Sequence, residues 1–147
     1  MLFRSPVSET FLFLADRQAH SAQIRAWLLD RKLVLSDRYA DSTYAYQGAR
    51  LMGKREKPVE WLRALSEPFV VSPDVTYLLS MPPEVALARI AGRARIVRFE
   101  TIDFLRAVDA VYRQLAADPR FVVIDDNRSV GEVVADVGAD LLRRYRG

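Results

Sequence analysis

The sequence predicts an α/β fold, and three observations carry that prediction. Long amphipathic segments alternate with short runs of unbroken apolar residues, and most prolines fall at the joints between them. The short runs lack the polar alternation of a half-exposed strand and so read as buried parallel strands. At 147 residues the chain can bury roughly 70% of its extended-chain surface. One domain over residues 1–147, with a core that needs no staples, is the expectation.

Residues 11–29 read as a helix, because Phe11, Leu14, Ile24, Trp27 and Leu28 form an interrupted apolar stripe and Asp16, Arg17 and Arg25 are left to polar surroundings. Leu33, Val34 and Leu35 then form a short buried strand. Its end would place Asp37 and Arg38 at the carboxyl edge of the sheet, where open parallel sheets take their ligands. Residues 58–65 form a short helix opened by Pro58, whereas Pro68 and Pro73 bracket Phe69, Val70 and Val71 and limit that run. Residues 75–79 are a strand. Pro82 and Pro83 open a helix over 84–90, and Gly92, Arg93, Ala94 and Arg95 form its basic exit. Ile102, Leu105, Val108, Tyr112 and Leu115 recur at helical spacing until Pro119 stops them, and residues 121–124 supply another strand. Ser129 and Glu132 have capping-box spacing, so the last helix starts at Ser129.

Composition narrows the function classes. The formal charge is +3, and the arginines are spread along the chain, so specific nucleic-acid binding is not expected. With no cysteine and only His20, neither disulfides nor thiolate or histidine-cluster metal sites are available, and no metal ligand is assigned. No apolar run approaches the ~18 residues of a membrane span, and the first residues lack a signal-peptide order, so a cytoplasmic protein without membrane contact is expected.

Two segments carry chemistry. The first runs from Ser36 through Asp37, Arg38 and Tyr39 to Ser42, Thr43, Tyr44, Tyr46, Gln47 and Gly48: a charged pair followed by aromatic, hydroxyl and amide groups, the equipment for holding a phosphorylated nucleoside. The second is the run of Arg89, Arg93, Arg95 and Arg98, whose guanidinium forks suit phosphate oxygens. Phe13 and Arg17, one helical turn apart, offer an aromatic face and a charge to one ligand.

In these residues the sequence resembles thymidylate kinase, of the P-loop nucleoside-monophosphate kinase group, almost from end to end. Phe11 to Arg17 is similar to that family's monophosphate-side helix, Ser36 to Gly48 to its Asp-Arg-Tyr and Ala-Tyr-Gln-Gly segment, Pro73 to Leu79 to its Pro-Asp-containing strand, and Pro83 to Arg89 to the helix entering its lid. The resemblance implies ATP-dependent conversion of dTMP to dTDP with Mg2+. It implies that Phe13 stacks on thymine and that Arg17 meets the monophosphate or base. Asp37 and Arg38 would stand beside the reacting phosphates, Arg38 as a clamp. Ser42, Thr43, Tyr46 and Gln47 would contact thymidine, and Arg89, Arg93, Arg95 and Arg98 would act from the lid, Arg93 and Arg95 catalytically. Val97 departs from the pattern, occupying the place of a lid aspartate. Asp125 and Asp126 lie where the family passes adenine, or simply form a turn or helix cap.

Against this stands an absence: no GxxxxGK[ST] run occurs anywhere in the 147 residues. That run holds ATP phosphates through backbone N–H groups and a lysine. The expected fold is therefore an incomplete P-loop kinase-like three-layer arrangement with a short, mostly parallel sheet, lacking the phosphate loop and the first two strands. The family's sheet order, 2-3-1-4-5, would leave a gap that the remaining strands close by pairing directly, by recruiting residues 69–71, or by associating with another chain. A homodimer or a complementing polypeptide is the expected partner besides dTMP. The alternative to a kinase role is a non-catalytic nucleotide-binding, regulatory or structural oligomeric protein.

Overall fold

The computed structural model describes residues 5–91 and 101–145. Its elements run α1 (Pro6–Leu29), α2 (Ala40–Leu51), α3 (Pro58–Ser66), β1 (Thr76–Ser80), α4 (Pro83–Ala91), α5 (Ile102–Leu115), β2 (Phe121–Asp125) and α6 (Val130–Tyr145). They pack as two compact units. One holds α1, α2, α3 and the middle of α5, Ala107–Tyr112; the other holds β1, α4, β2, α6 and the ends of α5.

The first unit is helical. α1 begins earlier than its apolar stripe predicts, because Ser5 caps it by accepting from the Ser8 N–H and Pro6 takes the first turn, where no N–H is needed. α2 is buried on most of its circumference and has no side-chain cap at Tyr39. Its core partners are Leu14 and Ile24 from α1, Val59 and Leu62 from α3, and Val108 and Val111 from α5, all buried. Each such side chain contributes roughly 1.5–3 kcal/mol by leaving water. Gly48 is where the packing is tightest: a Cβ there would lie 3.0 Å from Val59 Cγ2 and 3.8 Å from Val111 Cγ1. Glycine in mid-helix costs up to ~1 kcal/mol against alanine, and close approach of α3 and α5 is what it allows here.

Polar links tie the same helices. The Ser66 hydroxyl donates to the Leu62 carbonyl at 2.9 Å, which leaves its oxygen to accept from the Tyr44 phenol at 2.6 Å. Burial pushes the Tyr44 phenol above the usual tyrosine range, so it keeps its proton and donates. Arg50 pairs with Glu9 between α2 and α1.

The strand predicted at 33–35 does not form. Among the described residues the first unit contributes no strand to pair with it, and an extended run without a ladder stays irregular: Leu33 is 66% and Leu35 74% exposed. Asp37 and Arg38 accordingly lie in a bend between α1 and α2 and not at a sheet edge. Residues 69–71 are likewise irregular, with the Val71 N–H donating to the Tyr39 hydroxyl at 3.2 Å.

In the second unit β1 and β2 pair in parallel, Thr76 opposite Phe121 through Ser80 opposite Asp125. This is the short parallel sheet expected, with the first strand shifted one residue later than 75–79. The capping box is present: the Ser129 N–H donates to Glu132 Oε2 at 3.0 Å and the Glu132 N–H to Ser129 Oγ at 3.4 Å. α6 is held to β1 by Asp140, only 5% exposed, which accepts from the Tyr77 phenol at 2.8 Å and pairs with Arg144 at 2.5 Å and with Arg143. Among the described residues no helix is long and apolar enough to cross a membrane.

Two measurements check this packing. Leu62→Ala is expected to cost about 2–5 kcal/mol in chemical denaturation and Tyr44→Phe about 1 kcal/mol. Arg144, Tyr77 and Arg143, in that order, hold the Asp140 carboxyl well below the usual carboxylate range. Its stabilisation is whole above the unfolded aspartate pKa of ~3.9 and is lost as pH falls below that toward the lowered folded value. Asp140→Asn is therefore expected to lower the thermal midpoint at pH 7 and to flatten its decline below about pH 4.

Candidate functional site

α1 and α2 pack against one another within the first unit, and this brings two of the sequence-predicted groups together. Thr10, Phe13 and Arg17 follow one another at three- and four-residue spacing, so they line one side of α1. Thr43 and Gln47 share a face of α2 by the same spacing, with Tyr46 beside them. Phe13 is 41% exposed, so its ring serves as an available face and not as core filling.

Arg17 is mostly buried. It pairs with Asp16 at 2.7 Å, and its guanidinium carbon lies 5.8 Å from the centre of the Tyr39 ring. Its Nε is buried with no hydrogen-bond partner among the described residues. A buried N–H of a charged group left unmatched is costly, roughly 1–3 kcal/mol or more, and an acceptor delivered to it would relieve that cost. Tyr39 is fixed from three sides: its hydroxyl bonds Ser21 and receives the Val71 N–H, and His20 meets its ring edge-on at 5.6 Å.

Arg38 has a left-handed backbone, φ +64°, unusual for a residue with a side chain. Its guanidinium carbon lies 5.3 Å from the centre of the Tyr46 ring. Burial opposes its charge, and the hydrogen bond to Tyr46 together with the fields of Tyr46, Tyr112 and Asp37 outweighs that opposition, so its pKa is raised and it remains a cation. Asp37 is exposed beside it, and Ser36 donates to the Arg38 carbonyl at 2.9 Å, which closes the bend. Ser42 is half-buried and shares a hydrogen bond with the Tyr112 hydroxyl at 2.8 Å. Burial pushes the Tyr112 phenol up, against the pull of Ser42 and Arg38. Gln47 is 2% exposed, its Oε1 lying 3.3 Å from Thr10 Oγ1.

Arg89 belongs to the second unit. It contacts Asp126 through a carboxylate oxygen at 3.4 Å and the main-chain carbonyl at 3.1 Å. Arg93, Arg95 and Arg98 lie outside the described residues. Tyr112 and Thr10 are residues that sequence reasoning missed, and Tyr39 was named only as part of its segment. Tyr112 was counted among the helical core positions, and the only signal against that was a hydroxyl at a site leucine would fill.

The donor nucleotide and its metal are a different matter. The phosphate-gripping run does not occur in the sequence, and among the described residues no three His, Asp or Glu side chains gather where they would hold a metal ion. What the described residues bring together instead is an aromatic face, cations and a row of hydroxyl and amide groups.

Strain at Arg38 gives a test. A side chain at positive φ costs of order 1–3 kcal/mol and is kept where something other than stability requires it. Arg38→Gly is expected to leave the denaturation midpoint unchanged or to raise it.

A family model described as thymidylate kinase matches residues 3–137. Among similar curated proteins is a "Probable thymidylate kinase" from Methanosarcina barkeri, 41% identical over 138 residues, covering 92% of this chain and 67% of that protein. One from Methanosarcina mazei is 45% identical over 130 residues, 86% of this chain and 63% of its own length. Another, from Halobacterium salinarum, is 40% identical over 139 residues, 92% of this chain and 68% of its own length. The chain spans about two thirds of the length of the curated relatives it matches. With a family match over residues 3–137 and relatives about 40% identical over most of its length, the chain belongs to the thymidylate kinase family.

Proposed function

We propose that these residues form the acceptor side of a kinase that converts dTMP to dTDP with Mg-ATP. The observation that supports this reading is the pairing of α1 with α2, with Thr10 against Gln47, together with Arg17 Nε, buried without a hydrogen-bond partner among the described residues. In this reading thymine stacks on Phe13, and Arg17 meets the monophosphate or the base. Ser42, Thr43, Tyr46 and Gln47 read the base edge and sugar. Arg38 clamps phosphate, Asp37 positions either Arg38 or a magnesium-bound water, and Arg89, Arg93, Arg95 and Arg98 approach the transferred group as charge develops on it. Phosphoryl transfer rests on alignment and charge stabilisation, so turnover needs a phosphate-gripping loop from residues other than these 147.

A partner chain belongs to the proposal, either a second copy or a complementing polypeptide. The exposed side chains of Leu29, Leu33 and Leu35 support it, since apolar groups this close together in the chain are usually covered. A cytoplasmic location goes with the same reading.

Calorimetry of the 147-residue chain with dTMP tests the proposal, followed by Mg-ATP addition and an assay for dTDP. Binding without turnover is expected. Arg17→Ala and Arg38→Ala are each expected to weaken dTMP binding ~10–100-fold, the range for hydrogen bonds to charged groups. Turnover would refute the need for an additional loop. No binding by a folded sample would favour the structural, oligomeric role.

A further inference from the structure

We infer that Thr10 is a positioning residue that fixes which end of the Gln47 amide faces the nucleotide, and thereby selects a pyrimidine with a protonated ring nitrogen over cytosine. The inference rests on the acceptor-site reading above and deepens it.

A hydroxyl carries one proton. Thr10 is fully buried, and its Oγ1 lies 2.8 Å from the Pro6 carbonyl and 3.3 Å from the inner terminal atom of the Gln47 amide, which stands as Oε1 in the structure but which the hydrogen-bond network reassigns. The Pro6 oxygen has only lone pairs to offer, so the shorter contact takes the proton. Thr10 Oγ1 can then only accept from Gln47, and the atom facing it must be a donor. The two orientations of a side-chain amide have the same shape, and the hydrogen-bond network decides between them. Here it assigns Nε2 to the inner position and Oε1 to the outer one.

Gln47 is 2% exposed, so a ligand meets little more than that outer atom. As a carbonyl oxygen it accepts from a ring N–H, which thymine and uracil carry at N3. Cytosine carries a lone pair at N3, and two acceptors would then face each other. Were the amide turned the other way, the outer N–H would suit cytosine instead. The orientation is set from α1, by a residue that need not touch the nucleotide. Phe13 and Arg17 lie along α1 from Thr10, so the helix that would supply the stacking ring also supplies the group that orients the reader.

Affinities of the wild-type chain, Thr10→Val and Thr10→Ser for dTMP and dCMP, measured by calorimetry, test this. Valine keeps the shape of threonine and removes the acceptor; serine restores it. The expected result is wild-type preference for dTMP, a fall of ~10-fold in that preference for Thr10→Val, and recovery with Thr10→Ser. A preference unchanged in Thr10→Val, or wild-type binding that does not distinguish dTMP from dCMP, overturns the inference and leaves the acceptor site standing. No dTMP binding by the folded wild-type chain overturns both. NMR of the unliganded wild-type chain decides the orientation even if the valine variant fails to fold. Strong cross-peaks from the Gln47 amide protons to the Thr10 side chain are expected, and amide protons directed only to the outer side would overturn the assignment.

Discussion

The first unit depends on one constraint: α2 is a helix buried on most sides that nevertheless carries polar side chains inward. Asp41, Thr43 and Gln47 are all buried along it, as are Thr10 and Ser21 on α1 and Ser66 at the end of α3. Polar groups taken from water must find partners or be expelled. The helices around α2 are therefore positioned by hydrogen-bonding geometry as well as by volume. The Tyr44, Ser66 and Leu62 relay fixes α3, and the contacts of Thr10 and Glu9 fix α1. A buried polar network of this kind specifies one arrangement more sharply than an apolar core of equal size. The same polar groups equip the site, so scaffold and recognition surface are largely one set of residues.

How much of this was legible in the sequence varied with the range of the interaction responsible. α5 and α6 were legible because apolar periodicity and a capping box are local signals, and Ser129 with Glu132 formed the predicted pair. β1 and β2 were legible as strands because each contains an unbroken apolar run. Leu33 to Leu35 has the same local character and failed, because a strand is completed by a neighbour the run itself does not encode. α2 was read as a recognition segment and not as an element, since its tyrosines, hydroxyls and Gly48 obscure the apolar stripe that a half-exposed helix would show.

For the site, residue types were legible and their partnerships were not. Arg17 and Arg38 were picked out by the family resemblance and by the suitability of guanidinium groups for phosphate. That Arg17 has a buried N–H unmatched among the described residues, or that Arg38 occupies a left-handed bend, comes only from three-dimensional packing. Tyr112 lies far along the chain from Ser42, and no local pattern links the two hydroxyls. Membership of the thymidylate kinase family accounts for the motifs. It does not by itself account for how a chain without the phosphate-gripping run would use them.

The close approach at Gly48 bears on the order in which this protein can change. A side chain at position 48 is blocked chiefly by one methyl group of Val59, which lies on another helix. A lineage that first shortens residue 59 opens a small void and then gains freedom at 48, while one that begins at 48 must pass through an overpacked intermediate. The two positions are thus bound in a preferred sequence of mutational steps. Drift in the short helix α3, which carries none of the proposed nucleotide contacts, sets what the helix bearing them is free to become.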